Sequence, residues 1–506
     1  MNTPANLTSG RLLARNTMIN LAGDAAPFLV AIVAIPMLIR GLGVDRYGAL
    51  TLVILAVGYF GAFNFGLGKA ATKYIAAAAA SDDHSQIPAY FWTSLLMMFG
   101  FGVCGAVLAV ALSPWIVGHV LKVAPAAQAE SLHALYVLAI SLPFLISSSS
   151  TIGALAAFQR VDLIKAVNVP SNILYYLAPL PMLAFSHRLG WIVGSIVIVR
   201  VATWLAYFLI CLRVLPELRQ KITPHRDLVR PMLGFGGWVT VSDALSHAME
   251  YADRFIIGAL VSVAAVAYYA VPFQVTNKVR MIPGAISGVM FPAFSTSLAT
   301  DPARTVVLFE RSVRYILLAM FPIVLLVVTL APEGLTLWLG PDFAVHSAAV
   351  MRWIAVGMFI NSLDWTPHTL LQAAHRPDLT AKVYLVELPF FLLALWLVLP
   401  RYGVEGAAVV YAIRAVANAA LLFAMACRML PNLLAATLRL VKVAAAALAV
   451  IAIGIVPATL PAKELYLAAI LGLAAIVGWS AMLEPEEKDF LRMQLRQVRF
   501  LKEQRA

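Results

Sequence analysis

Charged residues are scarce in this chain. Only 12% of its 506 residues are Asp, Glu, Lys or Arg, against about 25% in soluble domains, which excludes water as the solvent for most of its surface. Cysteine is nearly absent. Cys104, Cys211 and Cys427 all fall inside apolar stretches with no metal-ligand neighbours, and they carry no information about redox compartment. No nucleophile-base pairing, metal-ligand cluster or phosphate-cradling glycine loop is visible. An enzyme would need such parts, so none is inferred, and no cofactor or metal is expected. No cleavable signal peptide is expected: the first apolar stretch, Met18 to Ile39, is too long for an h-region and has no small-residue cleavage site, and it reads as the first span.

What fills the chain is hydrocarbon, with 62% hydrophobic residues and a mean hydropathy of +0.87. A spanning helix needs about 20 mostly apolar residues. Stretches of that length lie near 17–39, 47–66, 88–112, 132–158, 163–186 and 190–212. After the basic loop from Pro216 to Pro231 come 232–258, 262–292, 306–331, 347–371, 379–399 and 404–427, then 441–460 and 465–483. The expectation is an all-α polytopic membrane protein of about 14 transmembrane helices. It comprises an N-terminal six-helix bundle (1–225), a second six-helix bundle (226–430), two extra helices (431–483) and a cytoplasmic tail (484–506).

The net charge is +12 and the pI near 9.7. In a soluble protein this would point to nucleic acid, but the span map accounts for the charge and no nucleic-acid partner is inferred. Of the 37 Lys and Arg residues, 25 gather on one side, including Arg11, Arg15, Lys69, Lys73, Arg160, five around the central loop and six in the tail. Arg40, Arg46, Lys122, Arg188, Arg401 and Lys463 fall on the other. The positive-inside rule then places both termini in the cytoplasm.

The two halves echo each other. Arg160-Val-Asp162-Leu163 matches Arg376-Pro-Asp378-Leu379, Arg188-Leu-Gly190 matches Arg401-Tyr-Gly403, and the Gly41 to Tyr47 turn matches Gly258 to Tyr268, all at nearly the same separation along the chain. Six spans is an even number, so the second half enters from the same side and the repeat is parallel. Two like-oriented bundles related by an axis along the membrane normal form a known transporter plan.

Further residues carry a family likeness. They are Pro36 to Leu38, Gly43-Val-Asp-Arg-Tyr47-Gly48, Asn64-Phe-Gly66-Leu-Gly68-Lys-Ala and Tyr74-Ile-Ala76, then Asp253-Arg254-Phe-Ile-Ile-Gly258, Tyr268-Tyr269, Phe291-Pro292-Ala-Phe-Ser295, Leu371-Gln372-Ala and Gly403-Val-Glu-Gly406-Ala-Ala. Through nearly its whole length, on loose motifs, the chain resembles the Wzx-like polysaccharide biosynthesis and O-antigen flippases. Their superfamily also holds lipid II flippases and multidrug and toxin extruders. The resemblance implies twelve core helices in two bundles, often with two more at the C-terminus. It also implies alternating-access transfer of an undecaprenyl-pyrophosphate-linked oligosaccharide, an O-antigen, capsule or exopolysaccharide unit, from the cytoplasmic to the periplasmic leaflet of the bacterial inner membrane. A polysaccharide polymerase and glycosyltransferases are the implied partners, with H+ or Na+ as coupling ion. Asn64 stands where the family usually has an acid, so no carboxylate role carries over there.

A charge at mid-bilayer is costly unless it faces a wet cavity or a partner. Asp243, His247, Glu250 and Arg254 fall on one helical face, as do Asn361, Asp364, His368 and Gln372; Asn16, Asn20 and Asp24 form a weaker stripe in the first span. In one reading the Asp243–Arg254 stripe is a self-neutralised ladder that docks bundles. In the other, Arg254 faces an anionic ligand while Asp243, His247 or Glu250 titrates. For Asn361 to Gln372, interbundle hydrogen bonding and cavity lining fit equally. Asp24, Asp243, His247, Glu250, Asp364 and His368 are thus the titrating candidates. Arginine's planar fork suits phosphate oxygens, so a pyrophosphate site would draw on Arg254, Lys278, Arg280 and Arg414, any of which can equally be an ion-pair partner. Ser147 to Thr151 can bind sugar hydroxyls or bond back to their own helix.

Two other functions fit less well. A multidrug extruder of the same superfamily should line its cavity with acids, and a membrane enzyme of polysaccharide assembly should carry a reacting constellation beside a large loop.

Overall fold

The computed structural model describes residues 10–62, 67–80, 86–123, 125–219, 222 and 224–482, without the side chains of 10–25, 57–62, 80, 125–127, 235–248, 299, 377 and 481–482. The side chains of Asn16, Asn20, Asp24, Asp243 and His247 lie outside the described residues, as do Asn64 and the tail from Glu484.

Every regular element among the described residues is helical. In hydrocarbon a helix satisfies its own backbone groups, and an open sheet edge does not. Among the described residues, nine helices are long and apolar enough to cross a membrane, from Gln86–Val120 to Leu460–Ser480, and Ala26–Leu42 is a shorter apolar one. The protein is a multi-pass membrane protein.

The chain forms two compact units: Met1–Val271 with Leu388–Ala407, and Pro272–Glu387 with Ala408–Ala506. In the first, the helix Leu142–Ala157 packs against Gln86–Trp115 and Leu67–Ala80. Gly153 permits the second contact, because a Cβ there would sit 2.6 Å from the Gly68 carbonyl oxygen; small residues let membrane helices approach closely. In the second unit the helix Pro302–Leu339 packs against Met281–Thr300, Pro341–Leu363 and Leu433–Ile453. Phe309, Ile316, Met320 and Phe359 fill that core.

Several expected spans are interrupted, and proline explains where. Proline lacks the amide that would bond the carbonyl four residues earlier. Pro143 leaves Ala139, the last residue of Pro125–Ala139; Pro181 leaves Leu177, the last of Val161–Leu177; Pro367 leaves Leu363, the last of Pro341–Leu363. Pro283 leaves Val279, inside the 3-10 turn Lys278–Arg280. The expected break between 399 and 404 is Gly403, at φ 56 and ψ −146, a conformation essentially reserved for glycine.

The sequence echo at Arg160 and Arg376 is the same turn made twice. Arg160 N–H donates to Leu155 O and Arg376 N–H to Leu371 O, each at 2.9 Å. The preceding residues, Gln159 and His375, are left-handed at φ 55 and 57. Each arginine then forks onto the aspartate two residues on, at 3.1 and 3.1 Å to Asp162 and at 3.0 and 3.4 Å to Asp378.

Candidate functional site

The second unit gathers ionisable side chains around the break before Pro367. Asp364 occupies that break, between Pro341–Leu363 and Trp365–Ala373, and is only 4% exposed. Its Oδ2 accepts from Asn361 Nδ2 at 2.8 Å and from Asn418 Nδ2 at 3.1 Å. Asn361 lies one turn earlier; Asn418 comes from the helix portion after Gly403. The carboxylate therefore ties two helices together within this unit.

Two guanidinium groups act on Asp364 electrostatically, those of Arg280 and Arg414, and Glu387 adds a second acid. Arg280 stands on the 3-10 turn Lys278–Arg280, where its Nη1 donates to Asn277 Oδ1 at 3.2 Å and its fork lies 5.7 Å from the Trp365 ring. Arg414 lies 5.4 Å from the Tyr411 ring. Tyr384 faces the same four charges. Glu387 is 7% exposed, and neither carboxylate oxygen has a hydrogen-bond partner among the described residues. One turn beyond Asp364, His368 Nε2 meets Gln372 Nε2 at 2.9 Å while its ring stands 6.5 Å from Tyr384.

Two fixed cations and two buried carboxylates balance when all are ionised. A guanidinium fork can hold two phosphate oxygens in bidentate geometry.

The anticipated residues thus separate. Arg280, Arg414, Asp364 and His368 come together, while Lys278 is exposed on the same turn as Arg280. Arg254 belongs to the other unit and is 3% exposed. Its Nη1 pairs with Asp253 Oδ1 at 2.9 Å and bonds the Glu250 main-chain carbonyl. The Tyr251 and Tyr269 rings lie 5.2 and 5.8 Å from the guanidinium, and Tyr269 Oη donates to Asp253 Oδ2 at 2.7 Å. Glu250 itself is half-buried. The hydroxyls of Ser147, Ser148 and Thr151 bond back to their own helix, at Pro143, Phe144 and Ser148 carbonyls. Arg352 Nε donates to the Val328 carbonyl at 3.0 Å.

Asn418 and Tyr384 were not singled out from sequence, and Glu387 was given no role there. Glu387 carried a signal, as a carboxylate inside an apolar stretch; Asn418 and Tyr384 carried none beyond polarity in a span.

Long apolar helices, several of them broken at prolines, define the class as a polytopic helical membrane protein. Solved structures share the fold. The chain matches the lipid II flippase MurJ in an inward closed conformation with a TM-score of 0.69 at 10% identity, covering 92% of this chain and all of that one. An inward-facing multidrug resistance MATE family transporter of the MOP superfamily matches with a TM-score of 0.66 at 13% identity, over 82% and 98%. The family model "Polysaccharide biosynthesis protein" matches residues 13–298. The "Putative O-antigen transporter" of Shigella flexneri is 30% identical over 414 residues, 81% of this chain and 96% of that protein. The chain belongs to the polysaccharide biosynthesis protein family.

Proposed function

We propose that this protein is a flippase that carries an undecaprenyl-pyrophosphate-linked oligosaccharide from the cytoplasmic to the periplasmic leaflet of a bacterial inner membrane. The observation that carries this reading is the match to a Shigella relative named for O-antigen transport across 96% of that relative. Alternating access between two six-helix halves, 1–225 and 226–430, follows from the parallel repeat, and the two matched Arg-Asp turns support the repeat. Both termini face the cytoplasm in this scheme, and a polymerase and glycosyltransferases act beside it.

The roles sought from the start fall on the second-unit cluster. Arg280 and Arg414 hold pyrophosphate oxygens, with Lys278 at the edge. Asp364 or Glu387, with His368 one turn away, takes up the coupling charge, H+ or Na+, and so frees a guanidinium for the substrate. Arg254, locked to Asp253, serves the first unit as a buried structural pair. Asp24, Asp243, His247 and Glu250 remain titrating candidates of the first unit.

The experiment is reconstitution into vesicles with a lipid-pyrophosphate oligosaccharide, scoring transfer between leaflets. Wild type transfers the lipid, and Arg280→Ala transfers it about tenfold more slowly, the loss of one charge-assisted contact. Efflux of cationic drugs without lipid transfer would instead assign the protein to the multidrug extruders, and transfer unaffected by Arg280→Ala would remove the cluster from the binding site.

A further inference from the structure

Arg200 is a cation inside an apolar span to which the function proposed above gives no part. It stands in the helix Leu189–Val214 of the first unit, half-buried, and its Nη1 donates to Ser141 Oγ at 3.0 Å. The Tyr175 hydroxyl takes a second hydrogen bond from it, and the Tyr175 ring lies 5.9 Å from the guanidinium. No carboxylate among the described residues reaches it. Arg200 stands ten residues beyond Gly190, and Arg414, its near counterpart in the sequence repeat, eleven beyond Gly403. Arg414 also faces a tyrosine ring, at 5.4 Å, but has Asp364 and Glu387 around it. An intramembrane charge without an acid is costly unless water or a ligand faces it.

The surroundings of Arg200 are neutral and polar. The helices Val161–Leu177 and Leu189–Val214 run antiparallel and meet through three polar rungs about one turn apart: Tyr175 with Arg200, Ser171 with Thr203 at 2.9 Å, and Asn168 with Tyr207. The exposed Asn172 donates through Nδ2 to Asn168 Oδ1 at 2.6 Å and keeps its carbonyl oxygen for a further donor. The faces that meet acyl chains lie elsewhere. Leu174 and Leu177 are exposed on one helix, Ile198 and Leu205 on the other, and Asn172 and Arg200 stand roughly 140–160° around their helices from these. A polar side chain so placed in a spanning helix lines protein or water.

We propose that Arg200, Tyr175 and Asn172 bind a carboxylate-bearing sugar of the glycan, so that the first unit selects acidic oligosaccharides. This names the sugar class of the substrate proposed above and rests on that reading. A guanidinium has five N–H donors; Ser141 and Tyr175 engage two, and a planar pair suits a carboxylate in bidentate geometry. One cation matches a monoanion, whereas in the second unit two guanidinium groups, Arg280 and Arg414, suit the greater charge of pyrophosphate. The tyrosine ring and the Asn172 amide suit the C–H face and the hydroxyls of a pyranose.

The test measures binding of soluble sugars to the purified full-length chain in neutral detergent by isothermal titration calorimetry, with a trisaccharide ending in glucuronic acid and with the same trisaccharide ending in glucose. The two differ only in carboxylate against hydroxymethyl. Wild type prefers the acidic sugar. Arg200→Gln weakens it about ten- to a hundredfold, the loss of a charge-assisted hydrogen bond, and leaves the glucose form unchanged, which shows that the variant is folded. Arg200→Lys, with the charge but not the fork, keeps part of the preference. Asn172→Ala, at an exposed position, weakens both forms by the same factor; no change in either would overturn the sugar contact. Equal affinity of wild type for the two sugars overturns the proposal, and so does an equal loss of both in Arg200→Gln. Displacement of the acidic sugar by inorganic pyrophosphate at a tenth of its concentration also overturns it, since Arg200 would then belong to the pyrophosphate. Leaflet transfer is read separately: a preference for the acidic sugar in a chain that moves no lipid-linked form removes the transport reading and keeps this site.

Discussion

Replacing Asp364 by alanine removes the one acceptor that Asn361 and Asn418 share, at 2.8 and 3.1 Å. A hydrogen bond to a charged group contributes about 1.5–3 kcal/mol in soluble proteins, whereas interhelical bonds in a membrane protein average about 0.6 and reach about 1.7 kcal/mol. Asp364 is 4% exposed, so water does not replace the lost acceptor, and the upper end of the membrane range applies. Coupling between Asp364 and Asn418 should therefore be about 1.5 kcal/mol, and Asp364→Ala should cost roughly twice that because Asn361 is orphaned too. A double-mutant cycle isolates the first quantity. Asn418 Oδ1 has no partner among the described residues, so Asn418→Ala loses chiefly the bond to Asp364. The assay is equilibrium unfolding in mixed micelles, followed by circular dichroism, of wild type, Asp364→Ala, Asn418→Ala and the double variant. Additivity within about 0.3 kcal/mol, the behaviour of independent sites, would refute the claim that this carboxylate joins the two helices.

Glu387→Gln should change stability by less than about 1 kcal/mol, because no hydrogen bond is lost with the charge, yet it should depress lipid transfer; equal unfolding midpoints with reduced transfer are the expected pair of results. Arg254→Ala should behave oppositely, costing about 3–5 kcal/mol by stranding buried Asp253, read as a lowered melting temperature in detergent. The Arg160 guanidinium beside Asp162 holds that carboxyl below the usual carboxylate range. Its folded value is depressed, so the stabilisation is present above the unfolded value, about pH 4, and fades as pH falls through the lower folded value. The melting difference between wild type and Asp162→Asn should shrink over that interval, and being solvent-exposed it should be small throughout.

The helical, membrane-spanning architecture was legible because hydrocarbon enforces it: runs of about 20 apolar residues admit few other structures. The repeated turn was legible from Arg160-x-Asp162 and Arg376-x-Asp378, whose short-range ion pairs need no tertiary context. Helix breaks were less so. Pro143 and Pro367 interrupt stretches whose hydropathy is unbroken, and only the geometry shows which residue falls in the gap. Asp364 was recognised as a buried charge on a polar stripe, but its partners Asn418 and Glu387 lie far along the chain, on an element whose packing periodicity alone does not determine. Arg254 shows the converse. Spacing offered Glu250 one turn away as its carboxylate partner, while the structure pairs it with the adjacent Asp253, whose carboxylate Tyr269 also holds. Neighbours at i+1 do not normally face each other on a helix, so a periodicity argument passes over them.

Leaflet transfer by vesicles containing Arg280→Ala with Arg414→Ala tests the central claim most directly. Loss of a charge-assisted contact of about 1.5–3 kcal/mol corresponds to about ten- to a hundredfold. The account predicts that the double variant, folded and inserted as wild type, moves a pyrophosphate-linked oligosaccharide at least tenfold more slowly; transfer at the wild-type rate would contradict it.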